Sequence, residues 1–211
     1  HFRAISLLLF AIGIAGCIAF DLESRRVARS TVDSEAEIEK NIAAGGWWSR
    51  RCCGNGSDYN PEFARKKHAV INLCTPETVS KSRREPSADP FVSTCEDLKE
   101  KNRRSVCNVE CVYKRMGIVD GKGNIDVNKL KELSEEFATS SWLRQVRAKA
   151  IEKCSTTGDL DNEIESTEPK CNSRAYNLKH CLFKEVIIAC PEEHQLKNEY
   201  CTGVRKEFIK N

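Results

Sequence analysis

Three observations predict an all-α fold. Apolar residues recur every three or four positions through the second half of the chain, which is the helical period. No segment alternates apolar and polar residues as a half-buried strand would. The chain also carries twelve cysteines, several at spacings that place them on helix faces. Together these describe helices interlocked by disulfides.

The first twenty residues, HFRAISLLLFAIGIAGCIAF, combine one arginine, an apolar run and small residues. They read as a secretory signal peptide spanning 1–19, cut after Cys17-Ile18-Ala19, rather than as a spanning helix. A lipidation box at Ile14-Ala15-Gly16-Cys17 is a rival reading on a shorter motif. Loss of 19 residues from 211 leaves 192, enough for one substantial domain, and Arg3 goes with them, so the formal charge falls from +3 to +2. So even a balance argues against a nucleic-acid partner, which demands a concentrated basic face. A secreted, extracellular chain without membrane insertion is expected.

Eleven cysteines stay behind when Cys17 leaves: Cys52, Cys53, Cys74, Cys95, Cys107, Cys111, Cys154, Cys171, Cys181, Cys190 and Cys201. In a secreted chain they form a disulfide framework, each bridge adding roughly 2–4 kcal/mol, and the odd number leaves one thiol over. Asn55-Gly56-Ser57 is a glycosylation acceptor and fits the same route.

Residues 20–46 are polar and cysteine-free, a flexible N-terminal arm with one short helix, and the folded domain runs over 47–211. Two further loose segments are Val79 to Thr94, with two prolines, and the acidic stretch Ser155 to Lys170. The stretch GIVDGKGNID has the outline of a calcium loop. With Gly123 at the sharp turn, however, the ligand positions fall on Ile118, Asp120, Lys122 and Lys129, of which only Asp120 is a carboxylate. Calcium is therefore excluded, and the stretch reads as a glycine-rich turn with Asp126 capping the next helix.

That helix carries Val127, Leu130, Leu133 and Phe137 on one face. Ser140 or Ser141 caps another, bearing Leu143, Val146, Ala150 and Cys154. From Ala175 to Ala189 the apolar residues cover most of the circumference, as in a central helix, and Pro191 stops it. The last helix runs from Glu192, with Leu196, Tyr200, Val204 and Phe208 at four-residue spacing.

Cys107 and Cys111, in SVCNVECVYKRMG, leave one helix face about a turn apart and so tie that helix to two different segments. Cys181 and Cys190 leave opposite sides of the central helix and also need separate partners. From Cys107 onward six cysteine spacings in series, with Pro191 directly after Cys190 and the segment ECVYKRMGIVDGKGNID, resemble the insect odorant-binding proteins, specifically their long Plus-C branch. The resemblance covers roughly Cys52 to Cys201. It implies that Cys107 pairs with Cys181, Cys111 with Cys74 or Cys95, and Cys190 with Cys154 or Cys171. It also implies that Cys201 belongs to additional C-terminal bridges and that Cys52 and Cys53 tether the N-terminal extension. Members of the branch carry twelve or more mature cysteines, against eleven here.

By the same resemblance the fold is a compact bundle of about six or more helices around an apolar cavity, a carrier of odorants or other small hydrophobic molecules through sensory lymph. Covering about 300 Å² of apolar ligand at roughly 25 cal/mol/Å² yields about 7 kcal/mol before association costs, which predicts micromolar, broadly selective binding. Candidate lining residues are Tyr113 and Met116, then Leu130, Leu133 and Phe137, then Trp142, Leu143 and Val146. Leu182, Phe183, Val186 and Ile187 join them from the central helix, and Tyr200, Val204 and Phe208 from the last. A phenol in such a site seeks a hydrogen-bond partner that a ligand can supply, which singles out Tyr113 and Tyr200.

No enzyme is expected, and no cofactor or metal: His68, His180 and His194 stand in no zinc-binding spacing, and neither a glycine-flanked serine nor a phosphate loop occurs. His180, on the central helix, is a candidate for acid-promoted ligand release. The expected partners are the small hydrophobic ligand and, for an olfactory carrier, an olfactory receptor, with the chain a monomer or homodimer. Two alternatives stand beside this reading. One is a stapled extracellular interaction module, for which Trp47 and Trp48 beside Arg50 and Arg51 supply a contact patch. The other is a scavenger of small molecules in saliva or haemolymph.

Overall fold

The computed structural model describes residues 52–79 and 95–210. The expected signal peptide at 1–19, the expected arm at 20–46, the pair Trp47 and Trp48, and residues 80–94 lie outside the described residues. Among the described residues there are six α-helices: α1 (Pro61–Val79), α2 (Cys95–Arg115), α3 (Val127–Phe137), α4 (Ser141–Ser155), α5 (Arg174–Ile188) and α6 (Glu199–Lys210). Three single-turn 3-10 helices occupy Gly56–Asp58, Gly158–Asp161 and Glu192–His194, and no strand occurs among these residues beyond isolated bridges. The all-α expectation holds. Helix α5 packs against α2, α4 and α6, which makes it the centre of the bundle, while α1 lies on α2 and α3 on α4.

Local chemistry explains the helix ends. Asn60 Oδ1 accepts from the N–H groups of Glu62 and Phe63, at 3.0 and 3.3 Å, and Pro61 follows at the first helical position, where its missing N–H costs nothing. Helix α2 stops in a Schellman arrangement. Gly117, at φ 73°, donates to Lys114 O and Ile118 donates to Tyr113 O.

In the turn that follows, the Asp120 carboxylate accepts from Lys122 N, Asn124 N and Asn124 Nδ2 at 2.8, 2.8 and 2.9 Å, and these bonds hold its pKa below the usual carboxylate range. Asp120 organises the turn. Asp126 caps α3 by accepting from Lys129 N at 2.9 Å. Ser140 stands at the N-cap of α4, but its hydroxyl makes no capping bond.

The last helix begins later than the sequence predicts. Residues 192–194 form a 3-10 turn, and Leu196 lies outside α6. The reason is backbone pairing with the start of the domain: Gln195 bridges antiparallel to Cys53, Leu196 N donates to Cys52 O at 3.3 Å, and Gly54 N donates to His194 O at 2.7 Å. A helix through these residues would spend the same groups on itself.

Five disulfides join described residues: Cys52–Cys201, Cys53–Cys190, Cys74–Cys111, Cys107–Cys171 and Cys154–Cys181. Cys107 and Cys111 do take different partners, and Cys111 meets Cys74 as implied, but two implied pairings are corrected. Cys107 meets Cys171 rather than Cys181, because Glu110 of α2 accepts from Asn172 N at 3.1 Å and draws that segment onto α2. Cys181 lies where α5 crosses α4, and it joins Cys154. Cys190 follows the end of α5 and meets Cys53 through the 53–54 and 194–196 pairing, so Cys52 and Cys53 staple the domain start to its C-terminal part. Nor is a thiol left over among the described residues. Cys95 is also disulfide-bonded, and no described cysteine is free.

Three apolar clusters make the core. The largest joins α2 (Val109, Val112, Tyr113), the turn (Ile118, Val119), Leu130, Ile151, Leu160 and α5 (Ala175, Leu178). A second, rich in aromatics, contains Tyr59, Phe63, Phe137, Ala138 and Leu143. A third, at the C-terminal end, gathers the Cys52–Cys201 bridge with Ile187 and Val204.

Candidate functional site

The first two clusters meet at a seam. Met116, just past the end of α2, and Leu133, on α3, are half-buried and pack against both. Tyr113 and Leu130 belong to the larger of these clusters, and Phe137 and Leu143 to the aromatic one. Helical periodicity puts them there: Leu130, Leu133 and Phe137 share one face of α3, and Tyr113 and Met116 lie three apart across the end of α2.

On the aromatic side, Tyr59 and Phe63 meet the Phe137 ring edge-on, with centroids 5.1 and 5.5 Å away. Tyr59 donates its hydroxyl proton to Cys53 O at 2.6 Å. Tyr113 is buried, and loss of solvent pushes its phenol up to about 12, against a smaller opposing influence from Arg147. Neutral at any physiological pH, it presents a hydroxyl donor inside an apolar surface.

Arg147 is the unexpected member of this group. Its guanidinium carbon stands 4.3 Å from the centre of the Phe137 ring, and its Nε donates to the buried Ser134 Oγ at 2.8 Å. Desolvation lowers its pKa, and the phenols of Tyr59 and Tyr113 partly offset that. The sequence held a signal for it: Arg147 lies four residues after Leu143 and three before Ala150, on the face that α4 buries. Tyr59 and Phe63 were equally open to inference. The Asn60-Pro61 start followed by Phe63, Val70, Ile71 and Cys74 at helical spacing marks α1.

The fifteen residues predicted to line the cavity do not converge on one place. Tyr113, Met116, Leu130, Leu133, Phe137, Trp142 and Leu143 gather in the first two clusters, and Leu182 packs half-buried at the edge of the first. Val146 is buried on α4 and Val186 is half-buried on α5. Ile187, Val204 and Phe208 belong to the third cluster. Phe183 and Tyr200 are exposed on α5 and α6, each 38 % accessible, as are Ile188 and Leu196. Of the histidines, His194 stacks on Trp142, His68 Nδ1 lies 3.2 Å from Asn72 Nδ2, and exposed His180 meets the edge of Phe208 at 6.1 Å.

A search of curated proteins and a search of solved structures each return no match. A model of the PBP/GOBP family matches residues 57–185, from the first 3-10 turn through most of α5. With more than half of the chain matched, and with six disulfide-linked helices among the described residues, the protein belongs to the PBP/GOBP family, the insect odorant- and pheromone-binding proteins.

Proposed function

We propose that this protein is a secreted carrier that takes up a small hydrophobic molecule between the first two clusters and transports it through sensory lymph. One observation carries this reading: Met116 and Leu133, half-buried, are shared by two apolar clusters, so a ligand that enters there exchanges water for apolar walls on both sides. Membership of a family of non-enzymatic binding proteins supports it, as does the absence, among the described residues, of a helix long and apolar enough to cross a membrane. Tyr113 supplies a phenol donor for a ligand oxygen, and Leu130, Phe137 and Leu143 supply apolar wall.

The chain fits the Plus-C branch on one further ground. Cys52–Cys201 and Cys53–Cys190 each join a segment before the matched region to one after it, which amounts to an added stapled layer outside the family core. Titration of the oxidised protein with an apolar fluorescent probe, then displacement by long-chain alcohols, aldehydes and aromatic odorants, tests the carrier function. Saturable one-site binding with micromolar displacement is expected, and no saturable binding by a helical, correctly bridged protein would overturn it.

A second reading, an extracellular interaction module, is favoured by the exposed apolar side chains Phe183, Ile188, Leu196 and Tyr200 on α5, α6 and the segment between them. It becomes the better account if the probe does not bind.

A further inference from the structure

Most described arginines held against the fold have their charge matched. Arg103, 4 % exposed, makes two 2.8 Å bonds to Glu100, and Arg104, Arg144 and Arg174 reach Glu100, Glu135 and Asp161. Arg205 meets a neutral group, the Cys52 carbonyl at 3.0 Å, and so does Arg147, which lies beside the seam of the two clusters. Among the described residues its hydrogen-bond partner is the neutral Ser134 hydroxyl and no carboxylate pairs with it, although its guanidinium lies half-buried over the Phe137 ring.

The physical consequence is an unneutralised positive charge beside the seam between the two clusters. A charge taken from water without a counter-charge is unfavourable, and the ring beneath it returns only about 0.5–2 kcal/mol. The Nε–H is spent on Ser134, which fixes the plane of the guanidinium and leaves the two terminal amino groups uncommitted among the described residues. Two terminal nitrogens in a fixed plane match the two oxygens of a carboxylate. Beside them lie Tyr113, a phenol that stays protonated and can donate, and the apolar Met116, Leu133 and Phe137.

We propose that Arg147 is the head-group anchor of the carrier site and that the preferred ligand is an amphipathic acid, an apolar chain ending in a carboxylate. This rests on the carrier reading and adds a ligand class to it. The ionised head group supplies the negative charge that the protein leaves out, Tyr113 donates to the same oxygens, and the chain lies along the seam. A neutral alcohol or aldehyde of equal length fills the seam but leaves the charge unmatched. Arg147 therefore sets selectivity between head groups rather than adding apolar area.

The test compares dodecanoate, dodecanol and dodecanal by displacement of an apolar fluorescent probe from the oxidised protein at pH 7, where the acid is ionised. The expected result is that dodecanoate binds at least about tenfold more tightly than dodecanol, the worth of a hydrogen bond to a charged group. Arg147→Met is expected to bring the acid-to-alcohol ratio to within about twofold of unity, with Arg147→Lys between the two. Equal affinity of the wild-type protein for acid and alcohol overturns the head-group proposal and leaves the carrier reading intact. Failure of all three to bind overturns both. Loss of acid and alcohol binding in equal proportion in Arg147→Met, with helicity retained, shows that the arginine only supports the walls, and this too overturns the proposal. The wild-type comparison needs no variant, so it decides the question even where a substitution disturbs folding.

Discussion

Trp142 and His194 stack face to face, with ring centroids 3.9 Å apart and planes within 4° of parallel. The contact joins the first turn of α4 to the 3-10 turn that follows α5. Trp142 Nε1 also donates to Asp58 Oδ1 at 3.2 Å, and Asp58 in turn accepts from Asn55 N at 2.8 Å. Three segments distant in sequence are thereby pinned beside the Cys53–Cys190 bridge. His194→Ala is expected to cost about 1 kcal/mol, the worth of an aromatic pair. Trp142→Phe keeps a ring for the stack and loses the Asp58 bond, also about 1 kcal/mol. Urea unfolding measures both, and an unchanged midpoint for His194→Ala would leave the stack without an energetic role.

The two glycines of the turn after α2 should respond in opposite ways. Gly123 has φ 87°, and a Cβ there would collide with the Asn172 side chain, whose Oδ1 already accepts from Arg174 N. Gly121 faces open space. Gly123→Ala is therefore expected to destabilise by about 2 kcal/mol or more, and Gly121→Ala to stay within about 0.5 kcal/mol of wild type. Equal thermal midpoints for the two variants would contradict the close approach of the turn to residue 172.

Glu100 predicts a specific acid sensitivity. Hydrogen bonds from Arg103, opposed by desolvation and aided by Thr167 and Arg104, lower its carboxyl from 4.5 to about 2. A carboxylate with a depressed folded pKa stabilises fully above its unfolded value and loses that contribution as pH falls through the folded one. Glu100→Gln should thus cost roughly 2–3 kcal/mol at pH 7, because buried Arg103 loses its charged Glu100 partner. The gap from wild type should close between pH 4.5 and about 2. A pH-independent gap in denaturant melts would show that the loss is one of shape and not of charge.

Disulfide mapping of the oxidised protein by peptide mass spectrometry is expected to find Cys107 with Cys171 and Cys154 with Cys181. Replacement of Cys53 and Cys190 together by serine opens a separation of 137 residues and should cost about 2–5 kcal/mol. A Cys107–Cys181 peptide would refute the observed connectivity.

What the sequence disclosed followed local physics. Asp126 capping α3, the apolar face of Leu130, Leu133 and Phe137, and the end of α5 before Pro191 all depend on residues within a turn or two of each other. The places where the reading failed depend on distant partners. Leu196 has helical spacing with Tyr200 and Val204, yet its N–H donates to Cys52 O, a group 144 positions earlier in numbering. Cys107 and Cys181 have family-like spacing, but the Glu110 contact with Asn172 decides the partner. Arg147 escaped notice for another reason: a charged residue on an otherwise apolar face looks like an interruption until Ser134 and Phe137 are seen to hold it. Phe183 and Tyr200 fit the apolar period of their helices but stay exposed, because periodicity does not say which face a distant segment will cover.

Met116 is the one methionine in the sequence and sits at the seam of the two clusters. Its ε-methyl group therefore gives a single carbon-13 NMR signal from the proposed entry point of the ligand. Titration of methyl-labelled, oxidised protein with a long-chain ligand is expected to shift that signal saturably, at the same concentrations at which the ligand displaces a fluorescent probe. A ligand that binds and leaves the Met116 signal in place would contradict carriage at this seam.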